Sequence, residues 1–239
     1  MACSTVSRFR TVLVSCTTLC LSPFVLPAQH IEPHARAFWI GGGLLLGTAI
    51  PADEWVRSVA SHIDVDRLNV ITRVVEPVGR PEYLVPALVA TYAVARGIDK
   101  RRFADATLRT TLSYAASDAV GQVLKWAVGR HRPSDGGSAR RFHPWSRDHA
   151  WHSFPSGHVF QIFAIAAVAA DEADRPWVGV TGYTLASLTG LERIYQNDHW
   201  TSDVVAGAVI AISTGLTVDR WIRRNGLGSL IKPRQPPDP

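Results

Sequence analysis

The 239-residue sequence predicts an all-α protein: a compact bundle of about six core helices plus an amphipathic helix, with an active site at one end of the bundle. Two observations carry that prediction. No stretch alternates apolar and polar residues with a period of two over a strand's length, and the six apolar segments that stand out are dominated by Ala, Leu and Val. No internal repeat or low-complexity tract competes with this reading.

In chain order, Arg8 and Arg10 precede the apolar stretch Thr11 to Leu26 and then Pro27-Ala28-Gln29, so residues 1–28 read as a signal peptide cut after Ala28. An uncleaved membrane anchor is the alternative. Cys3, Cys16 and Cys20 all fall in this leader, which leaves the mature chain without a disulfide. The helical domain is expected over residues 37–224, beginning with Phe38 to Ile50. An amphipathic helix between Asp53 and Val75 is ended by Pro77 and Gly79. Tyr83 to Ala95 and Thr107 to Val128 follow, then a Gly/Ser/Arg-rich loop from Ser134 to Arg147. Val159 to Ala170, Trp177 to Leu191 and Val204 to Val218 complete the bundle. In the last of these, Gly207, Ala211 and Gly215 continue a four-residue step from Asp203 and mark a face on which another backbone packs closely. Residues 225–239 read as a flexible tail.

The formal charge of +5 is modest, and the arginines are not interleaved with aromatics in a repeated pattern. This excludes a nucleic-acid surface and favours anionic small molecules or lipid headgroups, with a membrane surface as a partner. A bilayer span needs about 20 apolar residues. Most segments here meet a charge sooner, and the mean hydropathy is only +0.05. The expected location is therefore the periplasm or cell envelope, as a soluble or membrane-associated domain, with an integral inner-membrane protein as the alternative. Composition says nothing of oligomeric state.

Three short runs carry the chemistry. They are K-x6-R-P at Lys125, Arg132 and Pro133; P-S-G-H from Pro155 to His158; and R-x5-H-x3-D at Arg193, His199 and Asp203. A phosphoryl group in transfer spreads negative charge over its equatorial oxygens, and Lys125, Arg132 and Arg193 are three cations suited to hold it. Ser156 and Gly157 stand where a helix begins, with unpaired N–H groups pointing outward. If a helix starts near His199, Asp203 shares its face four residues on. Its carboxylate then accepts the Nδ1 proton and leaves Nε2 to attack. His158 remains as the general acid for the leaving alkoxide. Asp118 lies on a polar stripe with Thr111, Gln122 and Lys125; it either pairs with Lys125 or belongs to a solvated face. His143, His149, His152 and His158 show no defined ligand spacing, so no metal site is expected. Arg130, Arg140, Arg141 and Arg147 either steer an anionic substrate to the pocket or belong to a solvated loop.

These runs resemble the signature of the type 2 phosphatidic acid phosphatase and vanadium haloperoxidase superfamily, K-x6-R-P, P-S-G-H and S-R-x5-H-x3-D. The similarity covers roughly residues 83 to 218. The resemblance implies a phosphohistidine on His199 oriented by Asp203. His158 acts as acid and then base, and Lys125, Arg132, Ser156, Gly157 and Arg193 bind phosphate without a metal or cofactor. The implied substrates are phosphate monoesters or diphosphates, lipid phosphates first and small esters second. One position departs: the signature serine is Glu192, which either points away from the phosphate or tunes Arg193. Two alternatives stay open at this point, a vanadium-dependent haloperoxidase on the same pocket and a non-catalytic protein that binds anionic lipid or phosphate.

Overall fold

Each of the six apolar segments lies within an α-helix of the computed structural model, which describes residues 33–62, 75–173 and 175–226. The helices are α1 (Pro33–Ala60), α2 (Pro81–Gly97), α3 (Arg101–Val128), α4 (Gly157–Glu172), α5 (Pro176–Tyr195) and α6 (Thr201–Asn225). There is no strand among the described residues. The helices outrun the apolar segments because their end turns are polar. Arg101 to Ala106 begins α3, and Trp221 to Asn225 ends α6. Pro81 and Pro176 each take a first helical position, where the missing N–H is not needed and φ is already helical.

The chain divides into two units, residues 1–41 and 42–239. The described part of the first is the opening of α1, where the Phe38 and Trp39 rings meet edge to face with centroids 5.9 Å apart. All the motif residues lie in the second. There α4 packs against α3, α5 and α6, and α2 packs against α3. Phe160, Ala164 and Ala211 form the buried centre, with Val120, Phe163 and Ile210 packed on it. The close approach foreseen on α6 is present: a Cβ at Gly207 would sit 3.2 Å from the Ser156 carbonyl, and one at Gly215 would sit 3.2 Å from the Ala164 carbonyl.

The amphipathic helix expected between Asp53 and Val75 does not begin at Asp53 as a separate element; of its far end only Val75 is described, and it is helical. Asp53 to Ala60 instead continues α1 straight through Pro51. An interior proline costs about 3 kcal/mol in helix propensity, but here the residues beyond it are anchored. Asp53 is buried against α6, and Arg57 spends all three of its nitrogens on the loops around the motifs. Its Nε donates to Asn197 Oδ1 (3.1 Å), while its terminal nitrogens reach the Gly137 carbonyl (3.0 Å) and the Pro133 carbonyl (2.7 Å). Residues 63–74 of that expectation lie outside the described residues, as do the signal peptide and most of the tail. Pro77 and Gly79 do interrupt the helices, in a short 3-10 turn, Glu76–Gly79, that packs against α2, α4 and α5.

Candidate active site

The loop from α3 to α4 and the loop from α5 to α6 bring the three motifs together. Gly129 starts the first loop. It is left-handed (φ 57°), and a Cβ there would lie 2.0 Å from the His143 carbonyl oxygen, so only glycine closes this turn. Beyond it, Lys125 Nζ donates to the His152 carbonyl (3.2 Å), which also accepts from Arg132 (3.5 Å). Arg132 reaches the Asp198 carbonyl as well (3.4 Å), and the Asp198 carboxylate takes Arg193 (3.0 Å). The Ser156 N–H donates to the Asp203 carbonyl (3.1 Å), which ties the start of α4 to the start of α6. A Cβ at Gly157 would sit 3.5 Å from Lys125 Nζ, so the α4 N-terminus faces that ammonium. Arg193, His199, Lys125 and Arg80 all lie close enough to His158 to act on it electrostatically. Motif residues separated by up to 78 positions, Lys125 to Asp203, are thus brought together at one end of α4 and α6.

The arrangement can receive an anion. Lys125 and Arg132 donate only to backbone carbonyls, and neither has a carboxylate partner among the described residues. Ser156 Oγ is buried without a hydrogen-bond partner, at the end of a helix whose first N–H groups are also open. An unpaired buried hydroxyl costs about 1–3 kcal/mol, and an oxyanion held there satisfies it. No group of His, Cys, Asp and Glu among the described residues is arranged to hold a metal ion.

His199 is oriented differently from the sequence expectation. Its Nδ1 is 3.9 Å from Asp203 Oδ2 but 2.7 Å from the Ser153 carbonyl oxygen. A carbonyl only accepts, so Nδ1 carries the proton and Nε2 is the free nitrogen. The reason lies in the backbone. α6 begins at Thr201, after an extended Trp200 (ψ 155°), so His199 precedes the helix and the four-residue spacing no longer places it above Asp203. Asp203 instead accepts the Trp200 N–H (3.0 Å) and the Ser153 hydroxyl (2.5 Å) through Oδ2, and Arg130 through Oδ1 (2.5 Å). Ser153 therefore joins the carboxylate to the imidazole, hydroxyl on one side and carbonyl on the other. Burial holds the His199 imidazole below its usual pKa; Lys125 and Arg132 push the same way, and Asp203 opposes them. The ring is accordingly neutral in ordinary buffers.

Two further expectations are corrected. Asp118 does not pair with Lys125: it accepts from Gln161 (2.9 Å) and more distantly from Gln122 (3.5 Å), two turns being too far for a direct pair. Arg130, expected on a solvated loop or steering substrate, is 4% exposed and bound to protein on every nitrogen. Sequence reading missed Ser153, Asp53, Ser202 and Asp198. For Ser153 and Asp198 the signal was proximity to a motif; for Asp53, 150 residues before Asp203, a single sequence holds none.

Glu192 does not point away. It is buried and grips the guanidinium of Arg193 through both carboxylate oxygens. Arg193, shared with Asp198, is thus the one motif cation already neutralised. Replacing Glu192 with the signature serine (E192S) frees one edge of that fork, so the inhibition constant of inorganic phosphate is expected to fall about three- to tenfold. An unchanged constant would show that Asp198 alone keeps Arg193 from the anion.

A model of the PAP2 superfamily matches residues 106–227. The chain is 40% identical over 116 residues to a lipid A 1-phosphatase of Porphyromonas gingivalis, a match covering 44% of this chain and 23% of that protein. It is 29% identical over 97 residues to an undecaprenyl-diphosphatase of Sulfolobus acidocaldarius, covering 40% of this chain and 45% of that one. The chain thus spans less than half the length of the curated relatives it matches. Its fold is that of a transmembrane PAP2 type phosphatidylglycerolphosphate phosphatase from Bacillus subtilis (TM-score 0.61, 21% identity, 80% of this chain and 96% of that one). It is likewise that of Aquifex aeolicus LpxE (TM-score 0.56, 23% identity, 70% and 93%). With the three motifs brought together at one end of α4 and α6 and more than half of its length matched by the family model, this chain belongs to the PAP2 superfamily.

Proposed function

We propose that this protein is a phosphatase that hydrolyses lipid phosphates, monoesters or diphosphates, through a phosphohistidine on His199. One observation carries the reading: Nδ1 of His199 is committed to the Ser153 carbonyl, which leaves Nε2 free near Lys125 and Arg132, two cations without carboxylate partners among the described residues. Lys125, Arg132, the Ser156 hydroxyl and the α4 N-terminus hold the phosphate oxygens, and Arg193 joins them as it exchanges Glu192 for the anion. Nε2 attacks phosphorus in line, the bond to the leaving oxygen breaks, and His158 delivers a proton to that oxygen. In the second half His158 takes a proton from water, the water oxygen bonds to phosphorus, and the phosphorus–nitrogen bond breaks. Charge is balanced throughout by fixed side chains, so the steps need no metal.

A lipid substrate is supported by the relatives' names and by the surface. Leu44, Leu45, Ile50, Trp55 and Val59 of α1, Tyr83, Val85, Val89 and Val94 of α2, and Trp177, Val180 and Leu191 of α5 are all exposed. That much uncovered apolar area is unusual for a protein surrounded by water. α6 alone among the described helices is long and apolar enough, by length and composition, to cross a membrane. We therefore place the helices in the bilayer of the cell envelope rather than in a soluble domain, with the site presented at its surface.

The test is fractionation followed by assay. Phosphate release from phosphatidate and from polyprenyl diphosphate is expected in the fraction that resists alkaline carbonate and dissolves in detergent. It should survive chelators and be inhibited by vanadate. Activity in the soluble fraction would overturn the membrane placement, and loss of activity with a chelator would overturn the mechanism.

A further inference from the structure

Behind the nucleophile lies a chain of buried charge that ends on α1. Arg130 sits between two carboxylates. One terminal nitrogen donates to Asp203 Oδ1 (2.5 Å) and to Ser202 Oγ (2.6 Å); the other donates to Asp53 Oδ2 (2.7 Å). Its Nε is spent on the Ala139 carbonyl (2.9 Å). Asp53 in turn accepts the Ser202 N–H (2.8 Å) and the Ser202 hydroxyl (2.6 Å), which fixes the first turn of α6, where Asp203 stands. Asp53, Ser202 and Asp203 are each at most 1% exposed.

The arrangement has a charge problem that Asp53 resolves. A guanidinium paired with Asp203 alone would cancel that carboxylate, and an imidazole becoming phosphorylated gains positive charge that the carboxylate must offset. With a second carboxylate sharing Arg130, the cluster formally keeps one negative charge and Asp203 keeps its field. The same contacts hold Asp203 in place for Ser153, whose carbonyl aims His199.

We propose that Asp53, on a helix that carries none of the three motifs, is a positioning residue for phosphoryl transfer: through Arg130 and Ser202 it sets the place and the net charge of Asp203. This rests on the phosphohistidine reading above. Asp53 touches no substrate, so it acts on the transfer step and not on phosphate binding.

The experiment compares wild type with Asp53→Asn, an isosteric change that keeps one acceptor oxygen, for the Ser202 N–H, and replaces the oxygen shared by Arg130 and the Ser202 hydroxyl with an uncharged NH2 donor. Asp219→Asn is the control. Asp219 is an equally buried carboxylate of α6, bound to Arg109 (3.3 Å) and Arg223 (2.7 Å) and outside the site. In detergent, Asp53→Asn is expected to lower kcat about 10- to 100-fold, the scale of a misplaced reacting group, with KM within about threefold. Vanadate inhibition should weaken in step with kcat, while inhibition by inorganic phosphate stays within about threefold. Asp219→Asn should lower the melting temperature by a comparable amount and leave kcat within about twofold. In an Asp203→Asn background, Asp53→Asn should weaken vanadate binding no further, because the two act as a unit. A kcat within twofold of wild type, a rise in KM alone, the same kcat loss in Asp219→Asn, or an additive effect on vanadate binding would each overturn the proposal. An inactive wild type, or a fully active His199→Ala, would overturn the phosphohistidine reading instead; an active wild type with inactive His199→Ala and normal Asp53→Asn would sink only the role of Asp53.

Discussion

Replacing His199 with alanine is expected to abolish phosphate release, a loss of at least about 10⁴-fold, the scale on which removal of a covalent nucleophile acts. The side chain is 2% exposed and its Nδ1 is tied to the Ser153 carbonyl, so Nε2 is the attacking atom that the substitution removes. Rapid acid-free quenching with a labelled substrate should trap a phosphoenzyme in wild type that survives base and decays in acid, the behaviour of a phosphorus–nitrogen bond. The same quench of His199→Ala should trap none. Retention of the phosphoenzyme in the variant would move the covalent step to another residue. Removal of the imidazole leaves Lys125, Arg132 and Ser156 untouched, so the variant should still bind inorganic phosphate, and loss of that binding would point to collapse of the site.

The second large effect falls on His158, and its size depends on the substrate. A general acid contributes about 10²–10⁴ in rate when the leaving oxygen is a poor one. His158→Ala should therefore lose that much on an alkyl phosphate such as phosphatidate. On 4-nitrophenyl phosphate, whose leaving phenolate needs no proton, the first step should slow by less than about tenfold. The residual enzyme should then accumulate phosphohistidine, since water in the second step has lost its base. Equal losses on both substrates would mean that His158 binds or shapes the site instead of moving a proton. Burial, with Arg193, His199, Lys125 and Arg80 nearby, pushes the pKa of the His158 imidazole down to about 3. The proton it delivers must therefore come with the phosphate, whose negative charge offsets those cations; the direction of the ring fits the assignment. The ring stands one residue into α4 beside Gly79, where a Cβ would approach its own Cβ and Cδ2 to 3.0 Å, so the 3-10 turn presses on its flank and fixes its direction.

The helices were legible because each buries an apolar face, and that requirement writes itself into composition. Their ends were less so. Arg101 to Ala106 and the last turn of α6 are helical by continuity with a packed segment and not by their own apolarity. The break expected after Ile50 failed for a related reason: Pro51 is a local signal, and the ties from Asp53 and Arg57 to distant loops outweigh it. In the site, the residue types were readable because phosphoryl transfer dictates them. What was not readable is how they touch. The four-residue spacing from His199 to Asp203 suggested a direct contact, yet one extended residue, Trp200, separates the histidine from the helix and hands its orientation to Ser153. Glu192 could be seen to differ from the signature, but only coordinates reveal that it embraces its own neighbour.

The buried Arg130 makes the length of chain that relatives share different from the length that one molecule needs. The shared stretch opens at residue 106 and includes the guanidinium and one of its two anions; the other anion arrives from residue 53. A fragment trimmed to the shared stretch would leave one terminal nitrogen of that buried guanidinium without its acceptor and the cluster without its net negative charge, a defect of about 1–3 kcal/mol against a total stability of only about 5–15. Grafting these motifs with Arg130 onto a foreign scaffold therefore keeps that guanidinium fully partnered only when the helix bearing residue 53 travels with them.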